Sequence, residues 1–300
     1  MELLEKLADY AAADVCPMHM PGHKRADMDG GLPWALDITE IDGFDNLHDA
    51  QGILKAGMDR AARLYGSRRA FFLVGGSTCG ILAGIFAATR PGDTVLLPRG
   101  CHKSVYHALE LRDLKPVYLS VPVDDAFGVS GSLRPETVAA ALDAHPEARL
   151  VIVTSPTYEG VVSDVAAITA LAHEAGVPVL VDEAHGAHLG LAPLLPAGAV
   201  AAGADIVIQS AHKTLPSLTQ TALAHWTSAL VPEAEFARQL AIFQTSSPSY
   251  LLMGSLDHCY ALLEARGAAL WEEYRKNLEV FGRRTAALRH LRLLCHGGDT

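Results

Sequence analysis

Three hundred residues, half of them hydrophobic, suffice for one large domain, or one domain and part of a second, around a substantial core. Lysine and arginine number 24 against 34 acidic residues, a formal charge of −10, which argues against a nucleic-acid surface with its clustered positive charge. The acidic balance suits a cationic substrate through steering, although solubility alone accounts for it.

Five cysteines, at 16, 79, 101, 259 and 295, are odd in number and form no CxxC pair. That usage points to a reducing compartment, with neither a disulfide frame nor a zinc site. The opening "MELLEKLADYAAADV" sets acids among apolar residues at helical spacing. It lacks the basic and apolar regions of a signal peptide. The longest uncharged apolar stretch, near "CGILAGIFAA", is too short to span a bilayer. A soluble cytoplasmic protein with no membrane partner is expected.

Residues 1–45 stand apart from the rest. Their "CPMHMPGHKRADMDGGLP" is rich in Gly, Pro and His and reads as an ordered loop or arm. An amphipathic segment follows near 50–65. Apolar runs then alternate with helical patterns in chain order: "AFFLV" (70–74), a helix at 79–89, "TVLLP" (94–98), a helix at 103–111 and "PVYLSV" (116–121). Next come a helix at 134–145, "RLVIVT" (149–154), a helix at 163–175, "VPVLVD" (177–182), "DIVIQ" (205–209) and "TALAHW" (221–226). Most of these runs are continuously apolar, as strands covered on both faces are. The pattern predicts an α/β fold, a three-layer α/β/α arrangement on a mostly parallel seven-stranded sheet. Ligands of such folds sit beyond the carboxyl ends of the strands. After about residue 250 the pattern is wholly helical and ends in the turn-like "LCHGGDT". The expected divisions are an N-terminal arm over 1–45, a major domain over 46–265 and the start of a C-terminal helical region over 266–300.

Four clusters fall at strand ends. The first is "GGST", Gly75 to Thr78, between a strand and a helix. Its glycines allow close backbone approach, and free N–H groups with two hydroxyls suit an anion. Taken alone, an ordinary Ser or Thr helix cap is the better explanation of it. The second is "VLVDEAHGAH", where Asp182 ends a very apolar strand. A carboxylate there needs a partner, whether an ion pair, a turn or a ligand. The third is "RGCHKSVYHA", with His102 at a helix start, or simply in an exposed loop. The fourth is "SAHKTLPSLTQTA", which follows "DIVIQ" with Ser210, His212 and Lys213. Lysine is seldom buried without a partner.

One ligand would use all four clusters. Pyridoxal 5′-phosphate has an aldehyde for a lysine, a ring nitrogen for a carboxylate, a phosphate for a helix N-terminus and a flat ring for an imidazole. A zinc site in "HMPGHK" or "DEAHGAH" is the weaker reading, because Pro and Gly make loops of these segments.

From about residue 17 to 265 the chain resembles the Orn/Lys/Arg decarboxylase family, the fold-type-I pyridoxal-phosphate decarboxylases of bacteria. The stretches that carry the resemblance are "MPGHK" (20–24), "DITEIDGFDNLHDAQGIL" (37–54), "FLVGGSTCGILA" (72–83), "PRGCHKSVYHALEL" (98–111), "TSPTYEGVVSD" (154–164), "VDEAHGAHLG" (181–190), "GADIVIQSAHKTLPSLTQTA" (203–222) and "QTSSPSYLLMGSLD" (244–257).

The resemblance implies a role for each matching residue. Lys213 carries the cofactor aldehyde, and Ser210 helps to hold the phosphate. His212 lies beside the lysine as a proton donor to the substrate's α-carbon. Gly76, Ser77 and Thr78 bind the phosphate. His102 stacks on the ring, Asp182 pairs with the ring nitrogen, Ala184 offers a methyl surface to the opposite face, and His185 lies close by. Ser246 or Ser247 of "QTSSPSY" reaches a neighbouring subunit's phosphate, which implies a homodimer with shared sites. The implied reaction decarboxylates arginine, lysine or ornithine to the amine and carbon dioxide.

Two departures stand out. Gly100 occupies the place where the family usually has Asn. The family also continues into a C-terminal domain that closes the substrate pocket, of which residues 266–300 supply only the start. A cofactor-binding homologue without turnover, acting as a fragment or a regulatory partner, is therefore the alternative to an active decarboxylase. Transamination or β-elimination on the same cofactor is disfavoured by the matches outside the cofactor motifs.

Overall fold

The computed structural model describes residues 2–26 and 30–294. Cys295 and most of the turn-like ending lie outside them. Seven strands form the main sheet: β1 (Arg69–Leu73), β2 (Thr94–Pro98), β3 (Lys115–Leu119), β6 (Ala148–Thr154), β7 (Val179–Asp182), β8 (Ile206–Gln209) and β9 (Ala222–Trp226). A small hairpin of β4 (Val123–Asp124) and β5 (Val129–Ser130) stands apart. The order is β1-β9-β8-β7-β6-β2-β3, and only β9 runs against its neighbours. The expected mostly parallel seven-stranded sheet is thus present.

Each continuously apolar strand serves two cores, because successive side chains point to opposite faces. Leu97, Leu150, Ile152, Leu180, Ile206 and Ile208 lie in one core. Leu96, Val151, Val153, Val179, Val181 and Val207 lie in the other. The first core is covered by α3 (Gly76–Ala88), α4 (Lys103–Arg112) and α8 (Glu233–Phe243), through residues such as Ile81, Ile85, Val105 and Phe236. The second is covered by α5 (Pro135–Ala144) and α6 (Val165–Glu174), through Val138, Leu142, Ile168 and Ala172. These two coats complete the three layers.

Helix α3 lies unusually close to the sheet. A Cβ on Gly80 would stand 2.7 Å from Leu73 Cδ1, and one on Gly84 would stand 2.5 Å from Leu180 Cδ1. The two glycines seat α3 against the strands and so fix its N-terminus over their carboxyl ends.

A third core joins β1 to α1 (Leu3–Ala12), α2 (Ile53–Tyr65) and α9 (Tyr250–Thr285), with Leu3, Leu7, Met58, Phe72, Met253 and Tyr260 at its centre. The helical spacing of the first residues is therefore a real helix. Its start is held by Asp257, which accepts from the Leu3 N–H at 2.8 Å and pairs with Arg60 at 2.6 Å. Residues 13–33 carry no helix or strand among those described. Helix α9 runs unbroken through residues 265 and 266, and its buried positions end at Gly267. Among the described residues no helix is long and apolar enough to cross a membrane.

Candidate active site

Beyond the carboxyl ends of the parallel strands lies a cleft of about 130 Å³ lined by Ser77, His102, Asp182, Ala184, His185 and Lys213, with Gly100, Thr154, Pro156 and Tyr158. Loops after β1, β2, β6, β7 and β8 all contribute to it.

At the end of β1 the chain turns through Gly76, at φ +73°, directly into α3. The helix cap is Gly75, which has no side chain to offer the first-turn amides. Ser77 and Thr78 lie inside the first turn, so the capping explanation of "GGST" does not hold. Ser77 brings the first turn of α3 to the cleft lining, and free N–H groups at a helix start stabilise a negative group.

After β2, His102 caps α4. Its Nδ1 accepts from the Ser104 N–H at 3.2 Å and lies 2.8 Å from Ser104 Oγ. An accepting Nδ1 leaves the proton on Nε2, which fixes the tautomer. Desolvation holds the His102 pKa below its ordinary value; Asp182 opposes this and Lys213 reinforces it.

Asp182 ends β7 between Thr154 of β6 and Ile208 of β8. It is 4% exposed, and its Oδ1 accepts from the Ala184 N–H at 3.1 Å. Burial pushes its pKa up, while the Ala184 amide, His102 and Lys213 pull it down. A cation brought to the open side of this carboxylate would favour the ionised form. Three residues on, His185 Nε2 stands 3.0 Å from Lys213 Nζ. The ring edge of the exposed Tyr158 meets the His185 ring at 5.4 Å between centroids. Desolvation first, then Lys213, lowers the His185 pKa.

Lys213 lies on the single-turn helix α7 (Ala211–Thr214), which follows β8. Ser210, between the two, is fully buried, and its Oγ has no hydrogen-bond partner. His212 does not line the cleft; its ring Nδ1 is 2.7 Å from the Thr221 carbonyl. Ser246 and Ser247 lie between α8 and α9, exposed and outside the cleft lining.

One feature escaped sequence reasoning. Glu183 points away from Asp182 into a closed polar chain. Its carboxyl accepts from the Ala199 N–H and from Gln209 Nε2, each at 2.7 Å. Gln209 Oε1 meets His225 Nε2 at 3.1 Å, and His225 Nδ1 meets Ser67 Oγ at 2.9 Å. Burial raises the Glu183 pKa to about 8 and lowers that of His225 to about 3. A second acid straight after the strand that ends in Asp182, with Gln209 closing the neighbouring β8 and His225 inside the apolar β9 beyond it, was the available signal.

Solved structures share this architecture. Lysine decarboxylase A from Pseudomonas aeruginosa superposes with a TM-score of 0.76 at 23% identity, over 97% of this chain and 44% of its own. The constitutive lysine decarboxylase of Escherichia coli gives 0.74 at 22% identity, over 97% of this chain and 45% of its own. The fold is that of the fold-type-I pyridoxal-phosphate enzymes.

Sequence comparison narrows the class. The family model described as "Orn/Lys/Arg decarboxylase, major domain" matches residues 2–294, and the chain belongs to that family. It is 42% identical to the Bacillus subtilis protein YaaO over 272 residues, 87% of this chain and 56% of YaaO. It is 37% identical to an arginine decarboxylase of Bacillus subtilis over 278 residues, 90% of this chain and 57% of the relative. The chain thus spans a little over half the length of these curated relatives.

Proposed function

We propose that the chain is the major part of a pyridoxal-phosphate-dependent decarboxylase acting on a basic amino acid, with arginine the first candidate. The observation that carries this reading is the convergence of Lys213, Asp182 and the uncapped start of α3 on one cleft. The residues suit the cofactor. Ser210 Oγ is a buried hydroxyl without a partner, and a phosphate would satisfy it together with the amides of Gly76, Ser77 and Thr78. The arginine decarboxylase relative favours a guanidinium substrate, and the chain's net charge of −10 attracts one.

When bound, pyridoxal phosphate supplies an aldehyde for covalent attachment and a ring that takes up the electron pair released as carbon dioxide leaves. The protein does the rest. Lys213 would present the amine that anchors the group. Asp182 would hold a proton on the ring nitrogen. His102, held by Ser104, and Ala184, which also lines the cleft, would hold the flat ring between them. His185 Nε2 accepts a hydrogen bond from Lys213 Nζ and aims it into the cleft. His212, bound to the Thr221 carbonyl, would act as proton donor only after turning from that position. Ser246 or Ser247, both exposed and outside the lining of their own cleft, would serve the phosphate of a second copy in a cytoplasmic homodimer.

The test is to incubate the chain and cofactor separately with arginine, lysine and ornithine. Carbon dioxide and one matching amine, identified by mass spectrometry, are expected. Cofactor attachment without carbon dioxide would replace this reading with that of a binding homologue that does not turn over.

A further inference from the structure

We propose that Gln220 and Thr221 form a positioning device that sets the phosphate-binding turn against Lys213; this rests on the cofactor reading above. The two residues point in opposite directions, each toward one half of the site.

Thr221 is fully buried, and its carbonyl lies 2.7 Å from His212 Nδ1 and accepts the His212 N–H at 3.4 Å. It thereby holds the residue next to Lys213. Its own hydroxyl donates to the Leu218 carbonyl at 2.6 Å, closing the loop on itself. Gln220 reaches the other way, and its Nε2 donates to the Val74 carbonyl. Val74 stands just past the last ladder pair of edge strand β1, Leu73 with Ala222, and directly before Gly75 and Gly76. No neighbouring strand serves its backbone, and its N–H donates to Gln244 Oε1 at 3.0 Å. Two glutamine side chains therefore replace the missing ladder at the entry to the turn.

The backbone gives a second, independent sign. Gln220 has φ +81°, a left-handed conformation that glycine adopts freely and other residues seldom do. A Cβ on Gly76, itself at φ +73°, would lie 3.9 Å from the Gln220 carbonyl oxygen, so two left-handed residues face each other there. A loop that merely needed to turn would be served by glycine. A strained residue whose side chain grips the opposite strand end is explained by what it grips.

The physical role follows from rigidity. A small flat ligand with an aldehyde at one side and a phosphate at another must satisfy Lys213 and the α3 amides at once. The hydrogen bonds through 220 and 221 fix the spacing between those two ends. Gln220 touches neither end and acts only through the turn.

The test compares pyridoxal 5′-phosphate with pyridoxal, which lacks the phosphate, on the full chain and on Gln220→Gly and Gln220→Ala. Glycine removes the grip and also relieves the backbone, so the folded chain is preserved. Affinity is read from adduct absorbance, and attachment at Lys213 from borohydride fixation and peptide mass. We expect the phosphate's advantage over pyridoxal to fall about five- to tenfold in both variants, the worth of one lost hydrogen bond, with pyridoxal affinity unchanged. Equal losses for both ligands, or none for either while Lys213 is labelled, would overturn the inference. If neither ligand attaches to Lys213 in the unaltered chain, the cofactor reading itself fails, and the inference with it.

Discussion

Two carboxylates adjacent in sequence live under different rules. Asp182 opens to the cleft, where a cationic partner can keep it charged. Glu183 is sealed behind it, and its environment makes a measurable statement about stability. The ordinary glutamate value is 4.5, and in the fold it rises to about 8. Between those values the unfolded chain releases the proton and the folded chain keeps it, so stability falls as pH rises across the window. His225 acts oppositely. Its pKa falls from 6.5 to about 3, so the unfolded chain takes up a proton first, and stability falls as pH drops through that range. The two effects offset each other between about pH 4.5 and 6.5, leaving Glu183 to weaken the fold above it. Glu183→Gln should flatten the loss of melting temperature between pH 6.5 and 8.5. A loss as steep as that of the unaltered chain would show that Glu183 is not its source. At Asp182, replacement by Asn should leave cofactor attachment intact but slow carbon dioxide release by about 10²- to 10⁴-fold, the usual span for a lost proton-controlling group.

At the scale of elements, much was legible in the sequence. All seven sheet strands are within a few residues of their apolar runs; for β2, β6, β7 and β8 two-sided burial leaves a continuous hydrophobic signature, whereas edge strand β3 is apolar in sequence but largely exposed. The start of α3 was placed three residues late. A pattern that begins on glycines has no apolar period to read, and a backbone anion site needs no side chain. The roles of Gln220 and Gln244 were invisible for a similar reason. A side chain that satisfies one distant backbone group leaves no local mark, and strand pairing order is not written in either segment. The docking of α1 on α9 was equally hidden, since it depends on Asp257 meeting an amide 254 positions away. That docking carries its own expectation. Leu7 is fully buried in the third core, and Leu7→Ala should cost about 2–5 kcal/mol of stability in urea unfolding, with m unchanged. A cost within error of zero would mean that α1 does not stay packed in solution.

At the scale of the whole molecule, one chain supplies the lysine, the acid and the phosphate turn of its cleft, while Ser246 and Ser247 stand outside it. We expect a homodimer by light scattering. Ser246→Asp, which sets a negative charge against the neighbour's phosphate, should weaken cofactor binding about tenfold or more. A monomer with full cofactor affinity would remove the shared-site proposal and leave the cleft itself untouched.

The proposed chemistry turns on a single nitrogen atom, Lys213 Nζ. The most direct measurement is to add pyridoxal 5′-phosphate, fix it with borohydride, digest the protein and locate the added mass. The label is expected on the peptide that contains "SAHKTLP", with no stoichiometric label in Lys213→Ala. A stoichiometric label on any other lysine, or one that survives that replacement, would contradict it.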